Sequence, residues 1–535
     1  MFSKGRLRII SVLLALIVVS GMAGCTSEAN NPEAGEKVLR LALSGEPPSL
    51  DPAKAFDEDS LDLVNNLFEG LMRLDERHQP KPAAAEDVKV SEDGLTYTFT
   101  LRQAKWSNGE PVTAHDFEFA WKRVLDPETA AEPAFLLYFI EGAEAFNTGK
   151  GSADQVGVKA LDDRTLEVKL ARPTPAFLQL TAYPTYFPVP KKEVEKNPDL
   201  FHEASTLVSN GAFKLAEWKH DSHLKFIRNE HYRDKEGVKP DGIHFSVISD
   251  SKTVYSLFKT RKLDVVGKGA IPSDLLEEMV KNNEVKLSEG NGLAFFRFNV
   301  EKEPFTHPKI RKAFALAVDR RLIVDRVLGG VEIPAYGYVA PSVPGDFRNK
   351  GGNLIEDGNI EEAKRLLQEG MKEKGWNKLP EVTLMYSNAT DKNKKVAEAV
   401  QEMIRKNLGV EIVLQAKERK VHLADQKNKN FIMTTSSFLA DYNDAYNYLE
   451  SFQTDHSMNR TNWSNARYDE LLKKAAAEPD IAKRDEYLRE AEKILFEEMP
   501  IFPLYFYTSA VIEQPGVKGI LRHPVGPSDY TKAEK

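Results

Sequence analysis

Asp441 follows a run with the composition of a strand. Phe431, Ile432 and Met433 lead into Thr434, Thr435, Ser436 and Ser437, then Phe438 and Leu439. The chain next turns acidic through Asp441-Tyr442-Asn443-Asp444. Branched, aromatic and hydroxyl side chains favour the pleated form. A carboxylate just past a strand end is well placed to hold a cation, such as an ammonium, at the mouth of a cleft. A second reading is equally physical: Asp441 or Asp444 caps the helix expected over 444–452. The stretch alone leaves both open.

Arg297 raises the opposite question. Leu293-Ala294-Phe295-Phe296-Arg297-Phe298-Asn299 alternates like a strand, and a guanidinium among apolar neighbours needs a carboxylate. That partner is either internal or supplied by a ligand. Tyr505-Phe506-Tyr507 places aromatic faces on both sides of another strand. A cleft with aromatic walls and a few fixed charges suits a ligand of peptide size.

Catalytic patterns are missing. There is no His-Glu-x-x-His, no Gly-x-Ser-x-Gly and no phosphate-binding loop. The eleven histidines are scattered, so neither a metal nor another cofactor is expected. Asp57, Asp59 and Asp62 have the spacing of half a calcium loop, without its glycine or closing glutamate. Nothing in the sequence asks for an enzyme. A net charge of -8 argues against nucleic acid as a partner.

The elements that position these residues are spread over 535 residues, enough for two to four domains. Lys4, Arg6 and Arg8 precede an apolar stretch over 9–19, and small residues end in Gly21-Met22-Ala23-Gly24-Cys25. Residues 1–24 read as a lipoprotein signal peptide. Its pattern resembles a bacterial lipobox, which implies acylation at Cys25 and a membrane anchor. Cys25 is the only cysteine, so no internal disulfide is expected. Residues 25–36 form a polar tether. Helices are expected over 60–74, 113–125 and 307–329, the second with Thr113 and Asp116 as a capping box. Strand 382–386, helix 394–407 and strand 411–415 form a βαβ unit, with 431–439 joining its parallel sheet. Gly290–Gly292 reads as a crossing between domains, with a strand over 293–300 opening a different pattern.

The motifs resemble a known family. Ser49-Leu50-Asp51-Pro52, Trp106-Ser107-Asn108-Gly109-Glu110-Pro111, Ser209-Asn210-Gly211-Ala212-Phe213, Ile310-Arg311-Lys312-Ala313-Phe314, Pro334-Ala335-Tyr336-Gly337 and Ala440-Asp441-Tyr442 are similar to those of the extracytoplasmic peptide-binding proteins of ABC importers. Residues 457–463 and 522–526 resemble the Gram-positive dipeptide-binding lipoproteins of that group. The resemblance implies an α/β, two-lobed periplasmic-binding-protein-like fold with a hinge and an extra α+β domain. Lobe I would comprise 37–74, 191–292 and 506–535, the extra domain 75–190, and lobe II 293–505.

The same resemblance implies a monomeric receptor that binds short peptides as an added strand and delivers them to the permease and ATPase subunits of an importer. By position, Phe56, Asp57 and Glu58 line one wall, Ser437, Phe438 and Leu439 the other, and Asp441 holds the peptide ammonium. Tyr138 and Tyr507 match aromatic pocket residues. Two basic positions of the oligopeptide binders are Thr435 and Asn393 here, so the ligand carboxylate must be held differently. Arg297 replaces an acidic residue and is the candidate for that task, which would suit a murein tripeptide. Receptors for nickel chelates or sugars share the scaffold, but would not need Asp441.

Overall fold

The computed structural model describes residues 37–267 and 270–535. The leader, Cys25 and the tether lie outside these residues. The first four-stranded sheet orders Val38–Leu43, Gly242–Val247, His223–Arg228 and Phe213–Lys219. A second orders Ala85–Val90, Thr96–Leu101, Thr165–Lys169 and Val158–Ala160, all antiparallel. The helix Ala114–Leu125 covers it through Phe117, Trp121 and Val124, and the Thr113 N–H meets the Asp116 carboxylate at 2.8 Å, as the capping pattern predicts. These two sheets share one continuous apolar core.

The site-bearing sheet has seven strands, six in the order Val265–Gly267, Ile501–Glu513, Lys286–Phe298, Met433–Leu439, Val382–Ser387 and Ile412–Lys417, with Ile333–Pro334 beside Ile501–Glu513. The expected βαβ unit is present. Val382–Ser387 and Ile412–Lys417 run parallel, joined by the helix Asp391–Leu408, which buries Val396, Ala397, Val400 and Ile404 as one stripe.

Lys286–Phe298 and Ile501–Glu513 are long antiparallel strands of 13 residues each. At one end Phe296, Phe298, Ile501 and Phe502 belong to the second large core. At the other, Ala510 and Ile512 pack with Val254, Leu263 and Val266 in a third. These two strands therefore run from one core to another.

Two expected helices are corrected. The crossing expected at Gly290–Gly292 lies inside a strand, which runs through it with a register shift between Glu289 and Leu293. The glycines admit close backbones, since a Cβ would lie 2.7 Å from the Tyr507 carbonyl at Gly290 and 2.2 Å from that of Phe438 at Gly292. The helix over 60–74 stops at Leu67. Buried Glu69 is drawn to Arg233 and Tyr232, and Met72–Leu74 pairs instead with Pro80–Pro82. The helix over 307–329 divides into Pro308–Leu316 and Arg320–Val327. Asp319 caps the second by accepting from the Leu322 N–H at 2.7 Å.

Candidate ligand-binding site

Met433–Leu439 is paired over its full length along one edge only. Lys286–Phe298 covers it from Met433 to Leu439, whereas Val382–Ser387 pairs with Met433 and Thr434 alone. The ladder's parity says which groups are left. Ala440 N–H donates to the Asn291 carbonyl at 2.8 Å, and Asn299 N–H to the Ile432 carbonyl at 3.0 Å. Even-numbered residues of the strand therefore turn their backbone groups toward Lys286–Phe298. The N–H and C=O of Ser437 and Leu439 face the open edge, a template for an added strand. Side chains alternate across the sheet. Phe438 is buried near Tyr338 and Tyr448, while Ser437 and Leu439 are exposed, Leu439 by 61%.

Asp441 stands just past this edge. The helix-cap reading falls to Asp444, whose carboxylate accepts from the Tyr446 N–H at 2.7 Å. Asp441 uses its own N–H to reach Asn447 Oδ1 at 2.8 Å. Its carboxylate has no cationic partner among the described residues. It is open to water, yet enough protein surrounds it for desolvation to raise its pKa, with Asn447 offsetting part of the shift. That combination marks a concave surface. The crevice holds about 20 Å³ of free space between Leu180, Ala182, Tyr183, Asp441 and the tail residues Val525–Pro527, room for a water-sized group. Glu450, on the following helix, is also raised by burial and by Asp441. This end of the cleft favours a cation.

Phe56, Asp57 and Glu58 lie on a separate segment, before and at the start of the helix Glu58–Leu67. Asp57 is its N-cap, accepting from the Ser60 N–H at 2.9 Å. Phe56 is 40% exposed and meets Phe135 edge to face. Glu58 is exposed, yet its pKa is raised by desolvation and by the neighbouring Asp59 and Asp57. Tyr138 has its hydroxyl on Asn147 at 2.7 Å. The next residue, Phe139, is the one that crosses to the opposite side, edge to face with Tyr442 at 5.8 Å.

Tyr507 joins the strand-edge group. It interacts with Ser437 and stands beside Tyr505, with Lys392 Nζ 4.9 Å from the Tyr505 ring and 5.9 Å from that of Tyr507. Lys392 is already paired with Glu332 at 2.9 Å. Arg297 is buried on the other face, with its Nε donating to Ser436 Oγ at 3.0 Å. Burial pushes its guanidinium down to about 10, and the described residues offer it no carboxylate. Asn393 donates to the Ser387 carbonyl.

The family model for bacterial extracellular solute-binding proteins, family 5 middle, matches residues 79–460. This chain belongs to that family. Among its members, the dipeptide-binding protein DppE of Bacillus subtilis is 46% identical over 98% of both chains. Two solved structures are similar over nearly the whole described chain. The murein tripeptide-binding protein MppA in its unliganded open form superposes with a TM-score of 0.85 at 32% identity, covering 94% of this chain and 98% of that one. OppA of Listeria monocytogenes bound to peptide gives 0.69 at 33% identity, covering 94% and 99%. Identity and coverage are nearly equal for the two. The two-lobed binding-protein fold is thus the observed one.

Sequence reasoning missed several residues. Asn447 supports Asp441, and Val525–Pro527 wall its crevice from the far end of the chain. Lys392 sits on the aromatic face. Arg460 adjoins Arg297. None carries a local signal; the fold brings each into place.

Proposed function

We infer that this chain is a substrate-binding protein that captures short peptides outside the cytoplasm and delivers them to an ABC importer. The observation that carries this reading is the open edge at Ser437 and Leu439 with an uncompensated carboxylate, Asp441, at its end. Backbone pairing gives affinity without reading side chains, and the aspartate fixes register by pairing with the peptide ammonium. The named relatives bind dipeptide, peptide and murein tripeptide. Phe56, Asp57, Glu58, Phe438 and Tyr507 would complete the walls when the lobes close. Acylation at Cys25 would hold the monomer at the membrane. In this reading the peptide is handed on unchanged.

Native mass spectrometry of the chain beginning after Cys25, purified without stripping, tests this. Adducts of peptide mass that leave intact on gentle activation are expected. A clean mass, together with no heat of binding for any peptide, would overturn the reading in favour of another solute class. The murein-peptide reading is favoured by one observation, the buried Arg297, and predicts a single adduct rather than a series.

A further inference from the structure

The helix Arg419–Lys427 is built inside out. Val421 and Leu423 are each 47% exposed, while the two side chains it buries, His422 and Gln426, are polar and one turn apart. A surface helix ordinarily turns its apolar stripe inward. Here the buried pair is docked by hydrogen bonds instead. Beyond the helix those bonds go to Thr434, Thr435 and Ser436, on the strand that carries the candidate site.

Gln426 is the member of the pair that reaches the strand's outer edge. Its Nε2 donates to the Thr435 carbonyl at 3.3 Å, and its Oε1 accepts from Ser436 Oγ at 3.2 Å. Ser436 Oγ is held in turn by Arg297 Nε at 3.0 Å. The amide is therefore fixed at both ends, and Gln426 is almost fully buried. A carbonyl oxygen has two lone pairs, and the Thr434 hydroxyl stands 3.2 Å from the same Thr435 oxygen. Thr435 shares the parity of Ser437 and Leu439, so its carbonyl belongs to the same edge. That edge is thus partitioned. Val382–Ser387 takes Met433 and Thr434, Gln426 takes Thr435, and Ser437 and Leu439 are left.

A peptide with its ammonium at Asp441 runs antiparallel along this edge, and antiparallel pairing recurs at every second residue. A first residue opposite Leu439 puts the third opposite Ser437. The fifth then lies opposite Thr435, whose carbonyl Gln426 already holds. We propose that Gln426 is the length stop of the peptide site, closing the strand edge at Thr435 so that the preferred ligand has about three residues. This rests on the peptide-receptor reading and adds a ligand size to it. A ligand of that size uses both free positions. A fifth residue gains its backbone bond only by displacing an amide that is buried and bonded at both ends.

Calorimetry on the mature chain with trialanine and penta-alanine tests the stop. Trialanine is expected to bind tenfold or more tightly than penta-alanine. In Gln426→Ala, which vacates the edge position, the affinity for penta-alanine relative to trialanine is expected to rise tenfold or more. In Gln426→Met, which keeps a side chain of similar length there, that ratio is expected to stay close to the native one. Equal affinity of the native chain for the two peptides would overturn the stop, and that measurement needs no variant. A ratio unchanged in Gln426→Ala would also overturn it. So would a ratio raised equally in Gln426→Met, because a repacked helix would then be the cause. Absence of binding by peptides of every length is a different result, and overturns the receptor reading itself.

Discussion

Arg484 grips Asp444 through two hydrogen bonds, Nη1 to Oδ2 at 3.0 Å and Nη2 to Oδ1 at 2.7 Å, while Asp441, three residues earlier, has no cation of its own among the described residues. Helix capping and ion pairing both fall to Asp444. Asp441→Asn is therefore expected to cost the fold little and binding much. A closed cleft excludes water, so a ligand ammonium left without its counter-charge should lose about 3 kcal/mol or more, at least a hundredfold in affinity. N-acetylated peptides should lose a similar amount with the native protein. The two losses should not add, because both remove the same pair. Calorimetry on the four combinations checks this; full additivity would place the ammonium elsewhere. Acid should weaken binding as well. The carboxyl is raised above the ordinary carboxylate range, so affinity should fall as pH drops through that raised value and Asp441 takes up a proton.

Ser437→Pro tests the open edge. The Ser437 N–H faces away from Lys286–Phe298, so proline removes no hydrogen bond of that ladder. It does remove a donor from the edge and puts a ring where the ligand backbone would lie. Peptide affinity is expected to fall tenfold or more, with the melting temperature changed by only a few degrees. Ser437→Ala, which keeps the N–H, should lose much less. Equal losses in the two variants would mean that the hydroxyl, not the backbone, makes the contact.

Much of this arrangement was legible because it is local. The Thr113–Asp116 box, the βαβ order and the acidic end of Phe431–Asp441 each declare themselves within a dozen residues. What escaped depends on distant partners. Nothing near Gly290 and Gly292 in the sequence reveals that the Tyr507 and Phe438 carbonyls crowd them. The helix after Ser60 ends early because buried Glu69 is claimed by Arg233, 164 residues away. Arg460 looks like any polar-loop arginine until Arg297 reaches its neighbour Met458 across 161 residues.

His523 should make the tail acid-sensitive. Its Nδ1 lies 3.0 Å from that of His78, so one ring donates and the other accepts. Burial, with some repulsion from His78, pushes His523 down to about 4, and burial lowers His78 as well. A folded pKa depressed below 6.5 means stability that is present above that value and lost as pH falls from 6.5 toward 4. For His523 the loss is about 2 kcal/mol by pH 5. Urea unfolding at pH 7.5 and pH 5 should show the native chain losing more stability than His523→Gln. Equal losses would mean that the pair does not sense acid. The loop beyond His523 walls the Asp441 crevice, so peptide affinity should decline over the same window.

Glu492 holds the second core together from within. It is fully buried, and its Oε1 accepts from the Tyr338 N–H at 2.7 Å, the Val339 N–H at 3.0 Å and Arg348 Nη1 at 2.6 Å. Gly337 makes room for the arginine, since a Cβ there would fall 1.8 Å from Arg348 Nη1. Glu492→Ala strands a buried guanidinium and two backbone donors, and is expected to cost about 3–5 kcal/mol. Removing Arg348 as well should recover part of this, because the lone charge leaves with it. Urea unfolding of Glu492→Ala, Arg348→Met and the double variant checks the coupling. A double loss equal to the sum of the singles would mean that the two side chains stabilise the lobe independently, and that the backbone donors carry the role of Glu492.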